Sequence, residues 1–119
     1  MITKKQLRDW LDDSERIKVL EQMENYIDEE IKYNVLKGRT TFEVPTVIGN
    51  SLWGVSKTPL FSLWYSKNLS DDSLIYVRKR ILERYNNHGF IVSVTSSNYG
   101  KGRDHDNLKF TDVENALDN

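Results

Sequence analysis

The chain has no cysteine among its 119 residues, which excludes disulfides, thiolate metal sites and a cysteine nucleophile together. Histidine occurs only twice, so acid–base and metal chemistry have few residues to work with. There is no Walker loop, no dinucleotide fingerprint and no G-x-S-x-G elbow. No apolar run approaches the roughly 18 to 20 residues needed to cross a bilayer. The opening MITKKQLRDWLDD turns charged within four residues and lacks the apolar core of a signal peptide, so a cytoplasmic protein without membrane contact is expected. Internal repeats and low-complexity tracts are absent. The net charge of −1 lacks the positive excess of a dedicated nucleic-acid binder. Its distribution is uneven, however: residues 1–36 and 111–119 are each net −3, and residues 37–110 are net +5.

What is present is enough to fold. Hydrophobic residues make up 38% and charged residues 29%, with thirteen aromatics, which suits one domain with a single modest core. The chain is organised around residues 70–95. Ser70, Asp71 or Asp72 can cap a helix start. Leu74, Val77, Ile81 and Tyr85 recur at three and four residues and share a face. Gly89 provides the stop, and Phe90, Val92 and Val94 then alternate as a β-strand does.

Thr3 and Gln6 have capping-box spacing and predict a short helix with Leu7, Trp10 and Leu11 on one face. The pattern resets at Asp12, Asp13 and Ser14, with Ser14 as the N-cap of a second helix. That helix carries the stripe Ile17, Leu20, Met23, Ile27, Ile31 and Val35 and ends at Gly38. At about 35 Å it is longer than a small domain needs, so it is expected to project or to pack along a partner, a homodimer seam included. RTTFEV (39–44) reads as a strand with Phe42 and Val44 buried and Pro45 ending it. In residues 46–69, Thr58 and Pro59 suit the start of a short helix through Leu60, Leu63 and Trp64, against a competing strand over 60–65. Residues 96–107 form a loop, and LKFT (108–111) returns as a hairpin strand. The order predicts an α+β fold: a helical part (1–38), a core with a sheet of about three strands and one central helix packed on it (39–112), and an acidic tail (113–119).

Candidate sites are few. His88 is expected to cap the central helix rather than react. His105 lies between Asp104 and Asp106, but neighbours in a chain rarely converge on one metal, so no metal site and no cofactor is expected; a hydrolase or nuclease built on these three is the least favoured reading. Trp53, Phe61, Trp64 and Tyr65 make residues 46–69 too aromatic for a solvated linker. They form either a lid over the core or a contact surface for a protein partner. Arg78, Lys79, Arg80 and Arg84 on the central helix, with Lys101 and Arg103 on the hairpin loop, offer a cationic patch beside which Tyr99 can stack a base. The competing reading is an ordinary charged face with Lys79 paired to Glu83.

EEIKYNVLKGRTTFEV (29–44), YVRKRILERYNNHGFIVSV (76–94) and NLKF (107–110) together resemble a pattern common in small tailed-phage reading frames. In that pattern a helix ends at glycine before a strand, and a second helix runs through a glycine–aromatic junction into a final hairpin. The resemblance implies a compact accessory protein that acts by binding a host factor. The resulting expectation is a non-enzymatic interaction protein that modulates a host protein through Trp53, Phe61, Trp64 and Tyr65. The alternative is a nucleic-acid-binding accessory protein using the basic patch.

Overall fold

The computed structural model describes residues 1–50, 54–98 and 104–118. Its first element, α1 (Lys4–Leu36), is a single helix of 33 residues, about 50 Å long. Thr3 and Gln6 form the expected capping box: the Thr3 hydroxyl accepts from the Gln6 N–H at 3.1 Å and the Gln6 side chain accepts from the Thr3 N–H at 2.9 Å. The helix closes at Gly38, whose φ of +80° suits a residue without Cβ. The expected break at Asp12–Ser14 does not occur. Asp12 and Asp13 both pair with Arg16 within the helix, and Asp12 accepts a 2.7 Å bond from the Ser73 hydroxyl. The Asp12 and Asp13 side chains are thus engaged by Arg16, and Asp12 also by α3, rather than by the backbone N–H groups they would cap, and the backbone ladder continues unbroken.

A three-stranded antiparallel sheet forms from β1 (Phe42–Pro45), β4 (Ile91–Asn98) and β5 (Asp104–Thr111), in the order β1-β5-β4. Its register aligns Phe42 with Phe110 and Val92 across the sheet, and Val44 with Leu108. Phe42 and Val44 face the core as the alternation predicts. The hairpin strands extend beyond the expected residues into the segment read as a loop. Phe110 is fully buried, stacked on Phe42 at 5.6 Å and edge-on to Tyr85 at 5.5 Å.

Residues 46–69 resolve into a second hairpin, β2 (Val47–Asn50) and β3 (Gly54–Lys57), followed by α2 (Pro59–Trp64). The helical reading of the latter thus stands over the strand. Thr58 and Pro59 occupy the expected first positions, but the Thr58 hydroxyl donates to the Pro45 carbonyl at 2.7 Å instead of capping the helix. With Thr46, whose hydroxyl donates to the Asp106 carbonyl at 2.7 Å, it ties this insert to the main sheet.

The central helix α3 (Asp71–Asn87) starts at Ser70, whose hydroxyl accepts from the Ser73 N–H. It buries Val77, Ile81 and Tyr85 with Leu74 beside them, and Gly89 follows at φ +90°. Val19, Leu20, Met23 and Ile27 of α1 complete the core against α3, α2 and the sheet. After β5 the acidic tail winds into a 3₁₀ helix (Val113–Asp118), docked by Val113. Among the described residues no helix is long and apolar enough to cross a membrane.

Candidate functional site: the projecting start of the first helix

The aromatic segment expected to form the contact surface is turned mostly inward. Trp64 is 1% exposed, and its indole N–H donates to the Asp106 carboxylate at 2.8 Å. A buried indole needs a partner for that N–H, and Asp106 supplies it from β5. Trp64 is therefore a core residue and is withdrawn from the contact surface. Phe61 and Tyr65 are half-buried, 5.0 Å apart, and close on the His105 ring. The Tyr65 hydroxyl accepts from the Asp106 N–H at 3.0 Å. Their ring faces are also occupied, by Lys57 over Phe61 at 4.6 Å and Arg78 over Tyr65 at 5.0 Å. Trp53 lies outside the described residues.

The Asp104-His105-Asp106 triplet sits at the start of β5, where successive side chains alternate between faces. The His105 ring meets Phe61 and Tyr65, while the Asp106 carboxylate is taken by the Trp64 indole N–H. Among the described residues no group of three or more His, Asp or Glu side chains gathers at metal-binding distance.

The four cations of α3 do not make a common patch. Arg78 points inward, donating from Nε to the Trp64 carbonyl at 3.0 Å with its guanidinium over the indole. Arg84 pairs with Glu24 of α1 at 2.5 Å, and Lys79 and Arg80 share Glu83. Tyr99, Lys101 and Arg103 lie outside the described residues. Beside Arg84, a cleft of about 160 Å³ is lined by Glu24, Asp28, Tyr85 and His88. It is a polar clasp between α1 and α3. The Tyr85 hydroxyl donates to Asp28 at 2.6 Å and to the Glu24 carbonyl at 3.1 Å. Burial, with the negative charge of Asp28 added, pushes the phenol well above its ordinary value. His88 closes the helix as expected, its Nδ1 2.7 Å from the Arg84 carbonyl.

The surface that stands out lies elsewhere. Residues 1–11 are all exposed, and α1 buries nothing before Val19. Leu7, Trp10, Leu11 and Ile17 are 51%, 52%, 62% and 58% exposed. At 100° per residue, Leu7, Trp10 and Leu11 point to roughly the opposite side of the helix from Val19, Leu20, Met23 and Ile27. The side that continues the core-facing direction carries Lys5, Asp9, Asp12 and Arg16 instead. The apolar face therefore changes sides along one unbroken helix, and Ile17 stands at the edge between the two. At this junction a cleft of about 320 Å³ is lined by Asp13, Arg16, Ile17, Leu20 and Tyr76, with the Arg16 guanidinium 4.9 Å over the Tyr76 ring. The projection is visible in the dimensions. The radius of gyration is 16.3 Å, against roughly 13.5 Å for a compact chain of this length.

The shared face of Leu7, Trp10 and Leu11 is legible in the sequence; its orientation away from the core is not, because that requires the two helical segments to be one. No family model matches the chain, and neither a curated protein nor a solved structure does.

Proposed function

We propose that this chain is a non-enzymatic protein-interaction module whose docking element is the projecting start of α1. The observation that carries the reading is the reversal of the apolar face. Leu7, Trp10 and Leu11 are aimed where no other part of the described chain can cover them, while the inward side of the same turns is polar. Clustered apolar side chains with a tryptophan at their centre are the usual anchors of a protein interface. The resemblance to small tailed-phage frames makes the partner to be modulated a host protein in the cytoplasm, acted on by occlusion of its surface.

The test is affinity capture from cell lysate with a C-terminally tagged chain, which leaves α1 free, run with and without nuclease. The expected result is a protein retained in both conditions and lost on Trp10→Glu. Equal retention by the variant would remove α1 as the docking element. Recovery only of nucleic acid, or of proteins that vanish on nuclease treatment, would favour the basic residues Lys101 and Arg103 instead.

A further inference from the structure

We infer that the resident occupant of the α1 stripe is a second copy of this chain, paired antiparallel through its own α1, and that a host protein competes with that copy for the stripe. This rests on the reading of the stripe as a protein-docking surface and names what covers it. Three observations select a second copy.

The first is charge. Lys4, Lys5 and Arg8 are the only charged side chains up to residue 8, and Asp9, Asp12, Asp13 and Glu15 are the only ones from 9 to 15. An antiparallel pair sets the basic end of each copy beside the acidic stretch of the other, twice by symmetry. A parallel pair sets like beside like, which repels.

The second is spacing. A crossing centred between Asp9 and Trp10 lets Trp10 of each copy enter between Leu7 and Leu11 of the other. In that register Lys4 faces Glu15, and the two share one edge of the stripe because they are about three turns apart. The third is reach. The same register carries Ile2, itself exposed, to Ile17 at the cleft that Leu20 and Tyr76 line at the base of the projection. The pairing thus covers each stripe continuously from Ile2 to Ile17. The stripe also faces away from the body of its own chain, so a copy can approach without a clash.

The patch is small for a specific interface, so the dimer is expected to be weak, with a dissociation constant on the order of micromolar. Sedimentation velocity of the full chain across that concentration range is the test. The expected result is a monomer–dimer equilibrium weakened at least tenfold by Trp10→Glu and by Lys4→Glu. The double variant Lys4→Glu with Glu15→Lys should recover most of the lost association. Lys4 and Trp10 are exposed and Glu15 is half-buried, and unchanged thermal unfolding verifies that each variant is folded. A dimer indifferent to Trp10→Glu, or one that the charge swap fails to restore, overturns the inference. A chain that stays monomeric yet retains a lysate protein in a Trp10-dependent way also overturns it, and leaves the docking reading standing. A monomer that retains nothing overturns both.

Discussion

The two ends of α1 are made of similar residues and meet opposite environments. From Val19 to Ile27 the apolar residues face α3 and the sheet; from Leu7 to Leu11 they face away from both. Length is one cause: α3, at 17 residues, is about 26 Å long and can line only half of α1. Phase is the other. Over the first turns the inward side is Lys5, Asp9, Asp12 and Arg16, so even a longer α3 would find nothing apolar to bury. An amphipathic pattern states that a helix has a face to cover, and only its phase relative to the next segment states whether the chain itself can cover it.

The comparison breaks most visibly in stability. Met23→Ala or Ile27→Ala, at fully buried positions, should cost about 3 kcal/mol in urea unfolding. Leu11→Ala should stay within about 0.5 kcal/mol at concentrations where the chain is monomeric. A comparable loss at Leu11 would mean that the chain covers its own stripe.

An intermediate effect belongs to Tyr85, which fastens α3 to the packed end. Its folded-state pKa is raised above the ordinary 10.0 by burial and by Asp28. Above pH 10 the unfolded chain loses this proton and the folded chain keeps it, so the contribution is complete below pH 10 and falls as pH rises further. Tyr26 of α1, raised by its own burial and by Glu30, acts with the same sign. Tyr85→Phe should cost about 1 kcal/mol at neutral pH and should flatten the alkaline decline in melting temperature. An equally steep decline in the variant would assign it to other groups. The smallest effect is expected at Thr3. Thr3→Ala should speed amide hydrogen exchange over residues 4–11 while leaving the global unfolding midpoint unchanged, since those turns are not part of the packed unit.

What could be read from the sequence was local. The face of Leu74, Val77, Ile81 and Tyr85, the stop at Gly89 and the pairing of β4 with β5 depend on one continuous stretch of sequence. What could not be read depends on distant partners. Trp64 is core because Asp106, on another element, accepts its N–H. The expected break at Asp12 is absent because Arg16 and the Ser73 hydroxyl engage its side chain. The β2–β3 hairpin is not legible because Gly49 and Gly54 break the apolar alternation, yet Gly54, at φ +86°, stands at the start of its second strand. The candidate site falls between these cases: its residues were grouped correctly, but their orientation was set by a phase that only a continuous helix reveals.

The strand order has a consequence in time. β5 is the middle strand, and its two neighbours lie at very different distances along the chain: β4 directly precedes it, whereas β1 reaches it through the pairing of Phe42 with Phe110. Closing the longer loop is entropically slower and is rewarded only when β5 is already in place. The unit α3–β4–β5 is therefore expected to form first on the folding pathway, with Phe110 as its half-covered centre. β1 and α1 then arrive together to seal it, and Met23 and Ile27 remain in water until that last step.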